Sequence, residues 1–261
     1  MNAMIFAAGL GTRLRPLTND RPKALVEVNG RSLLEHNILK LKAAGFDHLV
    51  VNVHHFGDQI IRFLKEHQNF GIDIQVSDER ELLLDTGGGL LKAMSLFPND
   101  DPVLIHNVDI VSEADLRTSY QQHLALSECL QTQGKLLGAS LFISQRSTSR
   151  YLLFDTCGYL RGWTNVQTGE VKGEKAPLQR AFSGIHIVSR ALVPYLNKYN
   201  ETKLLQAATP TLAGVAPFPI MDFYLWACGQ VEIHGEELPE GCRWVDCGKV
   251  ESLEKASKIL P

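Results

Sequence analysis

Residues 9–23 read GLGTRLRPLTNDRPK, a stretch crowded with Gly, Pro and cationic side chains. Gly9 and Gly11 lack a Cβ, so the backbone there can approach an anion closely, and Arg13 and Lys23 bring positive charge to the same loop. Such a composition suits a polyphosphate. Asp109 closes the apolar run PVLIHNVD. A carboxylate at that strand end would project into a cleft as a hard oxygen ligand for Mg2+. Mg2+ normally takes one or two carboxylates together with substrate phosphates, so a second acid is expected elsewhere in the chain.

Two other glycine-loop chemistries fail on spacing. A dinucleotide turn needs GxGxxG opening directly into a helix, but Leu14 holds the third glycine position and Pro16 blocks immediate helix growth. A P-loop needs Gly-Lys-Ser/Thr at its own spacing, and none follows. His54, His55 and His106 fall near strand ends, where a lone histidine is more often a satisfied structural residue than a base. The five cysteines form no CxxC pair and their odd number fits poorly with a disulfide framework, so they are expected reduced and structural.

The elements that must position these groups alternate. MIFAA (4–8), HLVVNV (48–53), IDIQVS (72–77) and PVLIHN (102–107) read as buried strands. Between them run helical patterns: one from Ser32, with Ser32 as cap, Glu35 three residues on and Gly45 as stop, and a second over 57–66. DTGGG (85–89) reads as a turn before the helix LLKAMSLF, with Asp85 as a cap, and DLRTSYQQHLAL as a further helix. Repeated βα units over the first half predict an α/β fold, a doubly wound and mostly parallel central sheet flanked by helices, with ligands beyond the carboxyl ends of the strands. That is where Gly9 and Asp109 fall. The second half changes character, with strands at LLGASLFI, YLLFD and AFSGIHIV and loop chemistry from Asn165 to Pro177. One domain over 1–261 is expected, with a nucleotide-binding half over about 1–125 and an acceptor-binding lobe over about 126–261.

The loop GLGTRLRPLTNDRPKA resembles the GxGTRLxPLTxxxPKx loop of the sugar-phosphate nucleotidyltransferase family, a long and specific motif. The resemblance implies a Rossmann-like fold in which this loop closes over a nucleoside triphosphate through Ala8, Gly9, Gly11, Thr12, Arg13 and Lys23. Arg13 would neutralise the leaving pyrophosphate and Lys23 hold the α-phosphate, roles that phosphoryl chemistry demands independently. RWVDCGKVESLEKA resembles the family's WxDxGTxxxL segment and implies Asp246 as the second Mg2+ ligand beside Asp109. Here Lys249 stands for the usual Thr, and Val108 for the Gly of NGD. DTGGG resembles the family's nucleobase-reading turn, implying Thr86, Gly87 and Gly88. SGIHIV and EKAP resemble acceptor-binding segments, implying Gly184 and Lys175, with Asn107 beside them.

Within the family, LLDTGGGL, HNVDI, AFSGIHIV and MDFYLW are most similar to members that transfer uridylyl to N-acetylmuramate 1-phosphate in cell-wall recycling. Guanylyl transfer to mannose or heptose phosphates is the competing resemblance. UTP is therefore expected over GTP, with a sugar 1-phosphate as acceptor and Mg2+ as cofactor, in a monomer or homodimer. A nucleotide-sensing subunit that had lost its chemistry would show decay at Arg13, Lys23, Asp109 or Asp246, and all four are present. A net charge of −3 argues against a nucleic-acid partner. The N-terminal MNAMIFAAGLG lacks the basic flank and length of a signal or spanning helix, so no membrane association and a cytoplasmic location are expected.

Overall fold

The computed structural model describes residues 1–206 and 210–260. Five buried residues, Asn2 and four apolar ones, make β1 (Asn2–Phe6). After the first loop comes a short hairpin of β2 (Glu27–Val28) and β3 (Arg31–Ser32). Helix α1 (Leu33–Ala43) starts where expected, because the Ser32 hydroxyl accepts the Glu35 N–H at 3.1 Å. The units β4 (His48–Val53), α2 (Gly57–Glu66), β5 (Asp73–Asp78), α3 (Asp85–Ala93) and β6 (Val103–Asn107) complete the alternating half. Then follow β7 (Ile110–Ser112) and α4 (Leu116–Thr132), whose N-terminus is capped by Asp115 accepting from Arg117 and Thr118.

The second half is strand-rich: β8 (Leu137–Ser144), β9 (Arg150–Phe154), β10 (Leu160–Asn165), β11 (Glu170–Gly173) and β12 (Leu178–Val188). Helices α5 (Val193–Leu204) and α6 (Ile220–Ala227) lead to β13 (Glu232–Glu237), β14 (Trp244–Asp246) and α7 (Val250–Ser257). The main sheet has ten strands, in the order β11-β10-β9-β12-β6-β1-β4-β5, with β8 and β13 branching from β12. From β6 to β5 it is wholly parallel. Beyond β6 the pairings are antiparallel apart from β8 with β13.

Helices cover both faces, which defines the doubly wound arrangement. Leu33, Leu34, Ile38, Ile60, Leu116 and Ala256 pack α1, α2, α4 and α7 into one core. Leu90, Leu196, Phe223 and Tyr224 pack α3, α5 and α6 into the other. The strands alternate between these cores, Ile5 facing the first and Met4 and Phe6 the second. Strand β1 pairs with β4 on one side and β6 on the other. The strand order therefore reverses beside β1, and a crevice opens at the carboxyl ends of β1 and β6.

Two expectations are corrected. DTGGG is not a turn before a helix, because Asp85–Gly89 form the opening of α3 itself. Three glycines weaken a helix, but here tight packing against a neighbouring segment compensates. The supposed loop from Asn165 to Pro177 contains β11, which pairs antiparallel with β10. Its four residues are all exposed, so it carries no apolar signal, and neither does β10, where buried and half-buried residues alternate. Among the described residues, no helix is long and apolar enough to cross a membrane.

Candidate active site

The first loop leaves β1 through Ala7 and Ala8, both buried, and turns at Gly11 with φ +64°. A Cβ on Gly11 would stand 3.1 Å from both Lys23 Cβ and Thr18 Cγ2. Glycine is thus required there by conformation and by space. Thr18 Oγ1 donates to the Gly11 carbonyl at 2.8 Å, and Leu14 plugs the core, so the loop is tethered from within. Instead of a helix it makes a single 3-10 turn at Thr12–Leu14.

A cleft of about 210 Å³ lies at the carboxyl ends of β1 and β6, lined among others by Ala8, Gly9, Lys23, Thr86, Asn107 and Asp109. Lys23 Nζ forms an ion pair and hydrogen bond with Asp109 Oδ2, both side chains largely shielded from water. Asp246 reaches the same neighbourhood from the far end of the chain, because β14 pairs with β7 and sets Asp246 opposite Ile110. The Cys247 N–H donates to the Asp109 carbonyl at 2.7 Å, clamping the two acidic segments together. Arg13 joins them: a Cβ on Gly248 would meet Arg13 Nη2 at 2.6 Å and Asp246 Oδ1 at 2.7 Å. The buried Cys247 thiol between them is pushed up to about 12, by burial first and then by the Asp109 charge, so it stays protonated and is a poor metal ligand.

On the acceptor side, Gly184 (φ +75°) lies against Asn107 and Ile110; a Cβ there would come within 2.7 Å of Ile110 Cγ1 and 3.0 Å of Asn107 Nδ2. Gly184 and Asn107 are therefore neighbours. Lys175 is not brought to this place. It is exposed in the stretch between β11 and β12, and Glu174 before it borders a different concavity, with Arg161, Trp226 and Cys228.

The turn residues are committed to structure. Gly87 N–H and Gly88 N–H both donate to the Phe218 carbonyl, at 2.8 and 3.3 Å, and Thr86 Oγ1 accepts the Ile220 N–H at 2.9 Å. A Cβ on Gly88 would stand 2.5 Å from the Ala216 carbonyl. These glycines let the segment before α6 lie directly on α3. Asp85 carries φ +57°, a left-handed conformation that Asp tolerates better than most residues. Its carboxylate accepts the Thr86 N–H at 2.6 Å while lining the cleft.

Sequence reasoning missed the residues beneath the site. Asn52 is buried in β4 and lines the cleft; its Oδ1 accepts the Ala7 N–H at 2.8 Å and its Nδ2 donates to Glu79 Oε1 at 2.9 Å. Glu79, fully buried, accepts the Leu84 N–H at 3.1 Å through its other oxygen. Burial pushes its pKa above the ordinary carboxylate value, partly offset by the Asn52 and Leu84 hydrogen bonds. This bridge ties the start of the first loop to the start of α3. The available signal was a lone Asn in the apolar run HLVVNV. His106 and His186, both buried, are each pushed down to about 3, chiefly by burial, so neither serves as an acid or base near neutrality.

Comparison with known proteins agrees with this geometry. Residues 2–136 match the nucleotidyl transferase family, a span that includes the first loop and Asp109. The chain is 49% identical over 111 residues to an N-acetylmuramate alpha-1-phosphate uridylyltransferase of Caulobacter vibrioides, covering 42% of this chain and 46% of that one. It is 38% identical over 128 residues to the enzyme of the same name from Neisseria meningitidis serogroup B, covering 49% and 55%. The match thus spans about half the length of these relatives. A UDP-glucose pyrophosphorylase solved with UDP-glucose superposes with a TM-score of 0.70 over 99% of this chain and 97% of the other, at 16% identity, a likeness of fold. With its signature loop and Asp109 inside the matched span and its fold shared, the chain belongs to the nucleotidyl transferase family.

Proposed function

We propose that the protein transfers a nucleotidyl group from a nucleoside triphosphate to a sugar 1-phosphate, with UTP and N-acetylmuramate 1-phosphate as the pair. The observation that carries this reading is the convergence of Lys23, Asp109, Arg13 and Asp246, from opposite ends of the chain, beside one cleft at the strand-order reversal. The identities to uridylyltransferases of that name support the choice of substrates.

In this reaction a phosphate oxygen of the acceptor attacks the α-phosphorus, the bond to the β-phosphate oxygen breaks, and pyrophosphate leaves with that electron pair. The nucleophile is already an anion, so no side chain need remove a proton, which accords with two neutral buried histidines. Lys23 would hold the α-phosphate and Arg13 the departing pyrophosphate, each a fixed cation where negative charge accumulates. The backbone from Ala8 to Thr12 would wrap the phosphates, Thr86, Gly87 and Gly88 would frame the base, and Asn107 and Gly184 would address the acceptor, with Lys175 lying outside this place. The first half of the chain then handles the nucleotide and the second the sugar phosphate.

Mg2+ fits the donors present. Asp246 ends β14 and Asp109 lies in the turn just before β7, the strand that β14 pairs with, and the Lys23 ammonium stands against Asp109 as a cation in waiting. Among the described residues no three acidic, His or Cys ligands gather, and Mg2+ commonly draws its remaining ligands from phosphates and water. Asp109 and Asp246 would hold it, and when bound it would neutralise phosphate charge and align the reacting groups.

A second reading, guanylyl transfer, is favoured by Asp85, whose carboxylate lines the cleft. Guanine offers two N–H donor groups to a carboxylate where uracil offers one. Pyrophosphate release measured for UTP, GTP, CTP and dTTP against several sugar 1-phosphates decides between them. UTP with N-acetylmuramate 1-phosphate is expected to be fastest; release confined to GTP would establish the second reading, and none with any pair would overturn both.

A further inference from the structure

Beside the cleft lies a second concavity of about 790 Å³, lined among others by Arg146, Arg180, Glu237, Cys242 and Trp244. It adjoins the acceptor side through a chain of contacts. Asn107 meets Gly184, the neighbouring Ser183 carbonyl accepts from Trp244 Nε1 at 2.8 Å, and the Arg146 guanidinium stacks 4.2 Å above the Trp244 ring. Trp244 is two residues before Asp246 on β14, on the same face of that strand, and the Asp246 charge reaches Arg146.

The two arginines differ. Arg180 is paired with Glu237. Arg146 has no ion pair among the described residues; its Nη2 donates to the Phe182 carbonyl at 2.5 Å, and its Nε, shut away from water, has no partner. A buried donor without an acceptor is costly, and a half-buried guanidinium with no ion-pair partner is costlier still than an exposed one. Stacking on Trp244 holds the fork in place without satisfying its donors. An arginine so held is pre-organised for a planar anion that arrives with a ligand.

We infer that Arg146, stacked on Trp244, binds a carboxylate carried by the acceptor sugar and so selects acidic sugar 1-phosphates over neutral ones. The acceptor's phosphate must reach the α-phosphorus beside Lys23 and Asp109, and Asn107, Gly184 and Trp244 stand between that point and Arg146. The anion at Arg146 is thus a second one, on the far side of the sugar ring. This rests on the sugar 1-phosphate reading above and names the feature of the sugar that is read.

The test is titration calorimetry of the full chain with N-acetylmuramate 1-phosphate and with N-acetylglucosamine 1-phosphate, which lacks the lactyl carboxylate. The wild type is expected to bind the first about tenfold or more tightly, as a desolvated charge pair provides. Arg146→Gln should bring the two within about twofold while leaving N-acetylglucosamine 1-phosphate unchanged, and Arg146→Lys, which keeps charge but loses the fork, should fall between. Equal weakening of both ligands would mean that Arg146 holds the phosphate, and would overturn the inference, as would a wild type that does not discriminate. If Arg146→Gln lowers the melting temperature, Arg146→Lys against the wild type decides alone. Should the discrimination appear while no triphosphate yields pyrophosphate, the proposed reaction fails and the carboxylate site stands.

Discussion

Replacing Asn52 by alanine removes two hydrogen bonds at once. The Ala7 N–H loses its acceptor at 2.8 Å, and Glu79 loses the donor at 2.9 Å, all in buried surroundings. A buried N–H left unpaired costs about 1–3 kcal/mol, and a hydrogen bond to a charged group contributes about 1.5–3 kcal/mol. Water entering the vacated space recovers part of this, so the net loss is about 3 kcal/mol. Unfolding entropy of about 2.1 cal/mol/K per residue gives roughly 0.5 kcal/mol/K for 261 residues, so the melting temperature should fall by about 6 °C. The loss should also depend on pH. Glu79 has a raised pKa in the folded protein, so the fold holds that proton more tightly than the unfolded chain does. Its favourable contribution is complete in acid and is lost as pH rises through the ordinary carboxylate range to the raised value. Asn52 counters this by stabilising the carboxylate. The gap between wild type and Asn52→Ala should therefore be widest near pH 8 and narrow near pH 5, as the variant's Glu79 takes up a proton. Thermal unfolding of both proteins at the two pH values measures it. A shift under about 1 °C, or one equal at both pH values, would refute the assignment of Asn52 and Glu79 as a charged bridge.

The glycines of the two loops should separate cleanly. Gly88→Ala places a methyl 2.5 Å from the Ala216 carbonyl and 3.2 Å from Leu84 Cβ, an overpacking worth about 1–3 kcal/mol in urea unfolding. At Gly9 a Cβ meets nothing within 4 Å, so Gly9→Ala should leave stability within about 0.5 kcal/mol and weaken triphosphate binding in a calorimetric titration. Equal stability of the two variants would contradict the packing role given to Gly88. His106 and His186, held neutral down to about 3, bind fewer protons folded than unfolded, so stability should decline as pH falls from about 6.5 toward 3. In urea titrations between pH 4 and 6, His186→Leu should reduce that slope by about 1.4 kcal/mol per pH unit, and an unchanged slope would mean that His186 titrates normally in the fold.

The alternating half of the fold was legible because its strands are buried on both faces and its helices announce their ends. HLVVNV matches β4 residue for residue, and the span 57–66 matches α2. The Ser32 cap was readable because capping needs only local sequence. The second half was less so: β11 has no buried residue, and β13 carries EIHGEE, whose charges give little apolar pattern. In the site, Gly9, Lys23, Asp109, Asp246 and Gly184 belong to recognisable segments, and their mutual placement follows from strand pairing that no short motif encodes. Asn52, Glu79 and Arg146 stayed hidden because their roles depend on partners 45, 27 and 36 residues away. The three glycines after Asp85 suggested ligand contact, but the backbone N–H groups of Gly87 and Gly88 are answered from within the chain by Phe218.

The ion pair of Lys23 with Asp109 has a bearing on the order of events. Lys23 and Asp109 neutralise each other within the cleft. A divalent ion arriving alone would evict the ammonium and leave it facing nothing. The same ion arriving on a triphosphate brings the anion that receives the displaced lysine, and the exchange proceeds without net charge separation. On the proposed reaction the pair would work as an interlock, the lysine being released toward phosphate by a visitor that carries both halves of the replacement.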